Sequence, residues 1–240
     1  MADNYFGEYI RQRRQDALLT RTELAHLANI SVSLLEKIEL GTRPTTLPTL
    51  QALLDQLGVP SMQRKYILDS SLAGVYGTSP NTSANPTAID LADLESLPHP
   101  AGFYLLPTFT IAAANTAHRT TFPGLDSGTN LVEWMLLNPV ARKILPEWDK
   151  EIHRLVHSIR MLTPHIDSDE QVAKALQPCR QAPEWDDLWH NTPPTRSADG
   201  TRILVRDIVA QQTRPMDVRI YSPEIPNRRW WLCRLIQRNY

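Results

Sequence analysis

The stretch from Leu19 to Gly41 admits very few structures. Thr20 with Glu23 three positions on is a capping box, the reciprocal pairing that satisfies the first free amides of a helix. Leu24 and Leu27 or Ala28 then fall on one helical face. Asn29 follows, a residue that tolerates positive φ, so the chain can turn there. Ser31 is placed to cap a second helix, with Leu35 and Ile38 inward and Gly41 as its stop. Ala25 is small where two helices joined by so short a turn must approach closely. Two short helices about a tight turn form the helix-turn-helix pattern.

At 240 residues the chain is long enough for two modest domains, each burying a core. Its charge is balanced, with 25 basic and 26 acidic residues. From Met1 to Val59 there are six basic residues (Arg11, Arg13, Arg14, Arg21, Lys37, Arg43) against seven acids. A nucleic-acid reading therefore rests on the motif and not on bulk charge. Cys179 and Cys233 are the only cysteines, which leaves no disulfide framework and no zinc spacing. No apolar run reaches the length of a membrane span and the start is polar, so the expected location is the cytoplasm.

Around the motif, Tyr5 to Leu18 is expected to be a helix with Phe6, Ile10 and Ala17 near one face. Leu47 to Leu57, with Leu50, Leu53, Leu54 and Leu57 at helical spacing and Gly58 after them, gives another, and Met62 to Leu72 one more. Together with Gly7, Ile10, Arg11, Arg14, Ile30-Ser31, Glu39, Pro44 and Leu57-Gly58-Val59, these features resemble the Cro and lambda-repressor type of DNA-binding domain, the xenobiotic response element family. This chain has Arg21 where that family usually has Gln, and Asn29 where it has Gly. The resemblance implies that Arg14 pairs with Glu39 as a structural bridge. It also implies that Ser31, Val32, Ser33 and Lys37 face base edges in the major groove, where Lys37 can donate to guanine and Val32 touch a thymine methyl. Arg21, Thr22, Thr42 and Arg43 match positions near the DNA backbone, which set register and salt-dependent affinity. The expected partner is double-stranded DNA bearing a two-fold operator.

From Gly74 to Thr87 the composition turns to Gly, Ser, Thr, Asn and Pro without apolar periodicity, the signature of a linker. The expected domains are therefore 1–72 for DNA binding, a linker at 73–88, and 89–240. In the last of these, Ile89 to Leu94 is a short helix, and Gly102 to Leu106 and Thr108 to Ala114 are two strands about Pro107, the second alternating Phe109, Ile111 and Ala113 with Thr108, Thr110 and Ala112. Helices follow at Asn130 to Leu137, from Pro139, and from Pro146 to Leu162, where Trp148, Ile152, Leu155, Val156 and Ile159 make an apolar stripe. Ser168-Asp169-Glu170-Gln171 is a capping box, and Trp185, Leu188 and Trp189 form a further apolar face. Ile203 to Ala210 and Met216 to Tyr221 return to strand character. The basic aromatic segment Arg228, Arg229, Trp230, Trp231, Arg234 could meet DNA or membrane phosphates, although a terminal helix docking its tryptophans on the sheet is the commoner outcome. The predicted fold class is α + α/β: an N-terminal all-α helix-turn-helix bundle, then an antiparallel sheet with helices on one face.

This half resembles the ligand-binding domain of MmyB-like transcription regulators, which is PAS-like. The likeness is carried by Pro100-Ala101, Ala113-Ala114-Asn115, Asn130-Leu131, Asn138-Pro139 with Arg142, Trp148, Val156 to Arg160, Pro183-Glu184-Trp185 and Leu188-Trp189. The usual His-Pro step before the late strands is replaced by Ala198-Asp199-Gly200. The resemblance implies a fatty-acyl-like or other small apolar ligand held between sheet and helices, in a domain that also forms a homodimer. Candidate ligand residues are Asn115, Trp134 and Arg160, with walls from Phe103, Phe109, Ile111 and Ile220. Arg160 could take a ligand carboxylate bidentately, although a salt bridge within the protein explains it as well. The rival reading makes this half a protein-interaction module with no small molecule. No cofactor, metal or catalytic residue is expected: His165, Asp167 and Asp169 lie where such residues serve loop and helix cap, and His190 beside Asp186 and Asp187 suits a solvated helix end.

Overall fold

In the computed structural model, residues 5–43, 45–59, 63–65, 67, 85–163, 170–191, 201–223 and 228–237 are described. The chain divides into two compact units. The first contains α1 (Tyr5–Asp16), α2 (Arg21–Leu27), α3 (Val32–Glu39) and α4 (Leu47–Gln56). Thr20 and Glu23 form the capping box in both directions, and the Ser31 hydroxyl accepts from the Leu34 amide at 3.1 Å. Leu18, Asn29, Gly41 and Gly58 have positive φ at or near the ends of four successive helices, which is how the chain reverses in so few residues. Tyr9, Ile10, Leu24, Leu35, Ile38, Leu53 and Leu54 fill the core. Ala28, not Leu27, faces inward; Leu27 is 48% exposed. Ala17 is exposed because α1 ends before it, and Tyr9 is buried beside Ile10 in the core. Residues 63–65 and 67 are helical, and the rest of the helix expected from Met62 to Leu72 lies outside the described residues. So do most of the expected linker and the Ser168 capping box, apart from its Glu170 and Gln171.

The second unit is built on a five-stranded antiparallel sheet: β1 (Ala101–Leu105), β2 (Thr110–Ala114), β3 (Arg202–Asp207), β4 (Gln212–Tyr221) and β5 (Trp230–Gln237), in the order β2-β1-β5-β4-β3. An all-helical unit is thus followed by an antiparallel sheet with helices, as the sequence led us to expect. Before β1 comes α5 (Ala88–Ser96), capped by Thr87 and Asp90. Between β2 and β3 lie α6 (Thr116–Thr121), α7 (Leu131–Leu137), α8 (Pro139–Ile144), α9 (Trp148–Leu162), α10 (Glu170–Leu176) and α11 (Trp185–His190). Phe109 belongs to the turn between β1 and β2, at φ +58°, and not to β2. The largest departure is β5: the segment read as a docked terminal helix is the central strand, pairing with β1 on one side and β4 on the other.

Two side-chain layers meet on this sheet. Phe103 stacks on Trp230 with ring centroids 3.6 Å apart, and Leu94 of α5 packs on them. On the opposite face the Tyr104 hydroxyl and His118 Nε2 lie 2.8 Å apart, both buried. Burial, with Arg119 nearby, holds His118 down to about 4, so this is a neutral pair. Gly102 is needed there, since a Cβ would meet Tyr104 at 3.1 Å and the Ala113 carbonyl at 3.2 Å.

Candidate functional site

In the first unit the site is built from α3 upward. Its inward face is Leu35, Ile38 and Glu39, and its outward face is Val32, Ser33, Glu36 and Lys37, with Ser31 at the cap. Glu39 is 2% exposed and is the hub of the unit. Arg14 Nε donates to Glu39 Oε1 at 2.7 Å and Arg14 Nη2 to Oε2 at 3.2 Å, while Arg14 Nη1 reaches the Leu19 carbonyl at 2.9 Å. This fork ties α1, the start of the turn and α3 together, and it is the bridge expected of Arg14. Arg21 Nε also donates to Glu39 Oε2 at 2.8 Å, and its Nη1 stands 3.6 Å from Glu36. Burial pushes the Glu39 carboxyl up, but hydrogen bonds from Arg14 and Arg21 outweigh it and hold the group below its ordinary value.

The helix-turn-helix thus places Ser31, Val32, Ser33 and Lys37 together at one exposed end and side of α3, with Val32 42% exposed. Thr22 is exposed at the start of α2. The Thr42 hydroxyl donates to the Lys37 carbonyl at 3.2 Å, which fixes the turn carrying the exposed Arg43. Arg21 leans back onto two carboxylates. Glu36 went unnoticed in the sequence, although its place one turn before Glu39 and opposite Arg21 was a usable signal.

In the second unit the seven candidate ligand residues are dispersed. Asn115 is 1% exposed and uses its whole amide: Oδ1 accepts from Ala101 N (3.0 Å) and His118 N (2.9 Å), and Nδ2 donates to Leu97 O (3.0 Å) and His99 O (2.8 Å). Trp134 Nε1 donates to the Pro123 carbonyl at 3.0 Å, and its ring meets Phe122 edge-on. Ile111 pairs with Tyr104 on the face that carries His118, whereas Phe103 lies on the α5 face. Phe109 is buried in its turn and Ile220 is 42% exposed. Arg160 donates to the Trp189 carbonyl and sits 3.1 Å from His157 Nδ1, and burial lowers its pKa. Beside it, Trp185 and Trp189 stack at 5.1 Å and, with Ala173, Leu176, Arg180, Asp186 and His190, line a cleft of about 240 Å³. His190 Nδ1 lies 2.8 Å from the Asp186 carbonyl oxygen, within its own helix. His165, Asp167 and Asp169 lie outside the described residues, and among the described residues no group of His, Cys, Asp and Glu is arranged to hold a metal. Among those residues, too, no helix is long and apolar enough to cross a membrane.

Two family models match this chain: a helix-turn-helix domain over residues 6–65, and the MmyB-like transcription regulator ligand binding domain over residues 91–219. The chain belongs to the MmyB-like transcription regulator family. A comparison with curated proteins returned no match. The family places a DNA-binding helix-turn-helix beside a ligand-binding type of domain, and both belong to transcription regulators and not to enzymes.

Proposed function

We propose that this regulator binds a two-fold DNA operator through paired heads, and that its second unit takes up a small, mostly apolar, fatty-acyl-like ligand and joins two chains. One observation carries the reading: the sheet-and-helix unit matched by a ligand-binding model is joined to a head whose exposed α3 residues have groove-reading chemistry. Lys37, Ser33, Val32 and Ser31 read bases in this account, and Thr22, Thr42 and Arg43 meet phosphates. Arg21 is held at the edge of that surface by Glu39 and Glu36, oriented beside the backbone.

For the ligand, Phe109, Ile111 and Trp134 supply apolar wall, with Ile220 at its margin and Asn115 fixing the frame, while Phe103, on the opposite face of the sheet, takes no part. Arg160 is the proposed anchor for a carboxylate. It meets a carbonyl and an imidazole, both weaker acceptors than a charged carboxylate, so a fatty acid can compete for it. Drawing Arg160 from the Trp189 carbonyl would release α11, which gives a route from ligand to packing.

The test uses the full chain. DNA is selected from random sequence with and without saturated fatty acids of graded length, and melting is followed with the same acids. Expected are a two-fold consensus, a rise in melting temperature with one range of chain lengths, and loss of that rise in Arg160→Gln for the acid but not for the matching alcohol. Binding of ligand at about 100 times its Kd stabilises by about 2.7 kcal/mol, well within reach of a melt. No shift with any acid, and no lipid extractable from the purified protein, would sink the ligand reading and leave a protein-interaction module.

A further inference from the structure

The last three strands carry a charge imbalance that the reading above does not use. From residue 201 to 240 the chain has eight arginines, no lysine and three carboxylates, Asp207, Asp217 and Glu224. Side chains alternate along a strand, so register decides which of them share a face. Arg202 is opposite Asp217, Arg219 is two residues beyond Asp217 and opposite Arg234, and Arg206 lies four residues from Arg202. Arg202, Arg206, Arg219 and Arg234 therefore share one face of β3, β4 and β5. The first three are exposed, together with Tyr221. Arg234 is more covered, and its Nε is buried without a hydrogen-bond partner.

Among the described residues Asp217 is the one carboxylate on that face, 3.9 Å from Arg219 Nη2. Asp207 points to the other side and accepts from the Val209 and Ala210 amides. Like charges placed directly opposite on neighbouring strands destabilise a sheet, so the Arg219 and Arg234 pair is unfavourable in the isolated protein. A polyanion laid across the face removes that repulsion. Guanidinium forks suit phosphate oxygens, which they can bind two at a time. The charge is also missing where a DNA-binding protein would use it, since residues 1–59 hold six basic and seven acidic side chains.

We infer that the exposed part of the α5-side face of β3, β4 and β5, around Arg202, Arg206, Arg219 and Arg234, binds the phosphate backbone of duplex DNA without reading its sequence. The inference rests on the DNA-binding head and is independent of the ligand. Once the head is on DNA, further contacts by the same chain are intramolecular, so a few arginines are enough to matter.

The experiment measures affinity of the full chain for a long duplex as a function of salt, for the wild type, R202Q/R206Q/R219Q, R219Q alone and, as a control in the head, Arg43→Ala. Each phosphate contact contributes a slope of about 0.9, so the triple variant should lose about 2.7 from the slope of log affinity against log salt, and R219Q about 0.9. Between about 50 and 200 mM salt that makes the triple variant's loss of affinity about 40-fold smaller than the wild type's. Should the triple variant fail to fold, R219Q decides alone, because its side chain is half exposed. Slopes unchanged in both sheet variants while Arg43→Ala lowers its own overturn the inference and leave the head intact. Slopes lowered by the sheet variants but not by Arg43→Ala support it and count against the head's phosphate contacts. Unchanged slopes combined with weaker capture of the variants on poly-glutamate would assign the face to an acidic protein, and so also overturn it.

Discussion

At the scale of single residues the first unit turns on Glu39, which ends α3 on its buried side with two arginines on one carboxylate. The arrangement was half legible. The bridge from Arg14 to Glu39 was expected from the family resemblance, whereas the share of Arg21 in the same carboxylate was not, because nothing in a sequence shows that two distant cations share one acid. Removing one partner of a buried pair leaves the others uncompensated, so Glu39→Gln should destabilise the first unit by about 3 kcal/mol in thermal or urea unfolding. Its pH dependence fixes the sign. The folded carboxyl lies below its ordinary value of 4.5, so its contribution is complete above that value and is lost as pH falls through the folded value. The wild type should therefore lose stability on acidification from pH ~5 to 3, and Glu39→Gln should show a flatter profile over that window. Equal profiles for the two proteins would show that the bridge contributes nothing net.

Elements were read with uneven success, and the failures share a cause. Amphipathic helices such as α9 announce themselves, because one side is polar and the other packs. β5 does not. It lies between β1 and β4 and carries apolar side chains on both faces, buried Trp230 and half-buried Leu232 towards α5, half-buried Trp231 and Cys233 and buried Leu235 on the other side. A strand with apolar residues on both faces loses the alternation by which strands are recognised, and two adjacent tryptophans then read as a docked helix. The candidate ligand residues suffered in a similar way, since residues near one another in the sequence of β1 and β2 went to opposite faces. The register of Phe103 and Tyr104 shifts at an irregularity between them, which no local pattern announces. Asn115 was noticed for its position at the end of β2, and the structure gives the reason for it there. It joins the loop after α5, the first residue of β1 and the amino end of α6 with four hydrogen bonds. Asn115→Ala strands those backbone groups in a buried setting, at about 1–3 kcal/mol for each one left unmade. Partial relaxation and water entry reduce the sum, so we expect about 4 kcal/mol and a melting temperature lower by roughly 10 °C for the second unit. Asn115→Asp keeps the acceptor but sets a buried carboxylate oxygen against the Leu97 and His99 carbonyls, and should cost at least as much as the alanine variant. A loss below about 1 kcal/mol for the alanine variant would mean that the loop before β1 stands without this clamp.

For the whole molecule the question is why a head without net positive charge should need a second unit at all. A single helix-turn-helix with six basic and seven acidic residues gains little from counterion release, so useful affinity has to come from joining contacts. Pairing two chains is one way, and the basic face of the sheet is another. They predict different things of the operator. If two heads are held at a fixed separation, half-sites must lie on one side of the duplex, about 10 base pairs or a multiple apart. Inserting about five base pairs between them turns one half-site to the far side, and affinity should fall about 100-fold, towards that of a single head. Inserting about ten restores the facing but stretches the span, so part of the affinity should return if the second unit allows the heads to separate. Sheet contacts to phosphate are indifferent to this phasing, because the backbone repeats everywhere; they should keep the salt slope steep in all three operators. Equal affinity across the insertions, with the slope unchanged, would show that each chain binds alone and that the sheet face supplies what pairing does not.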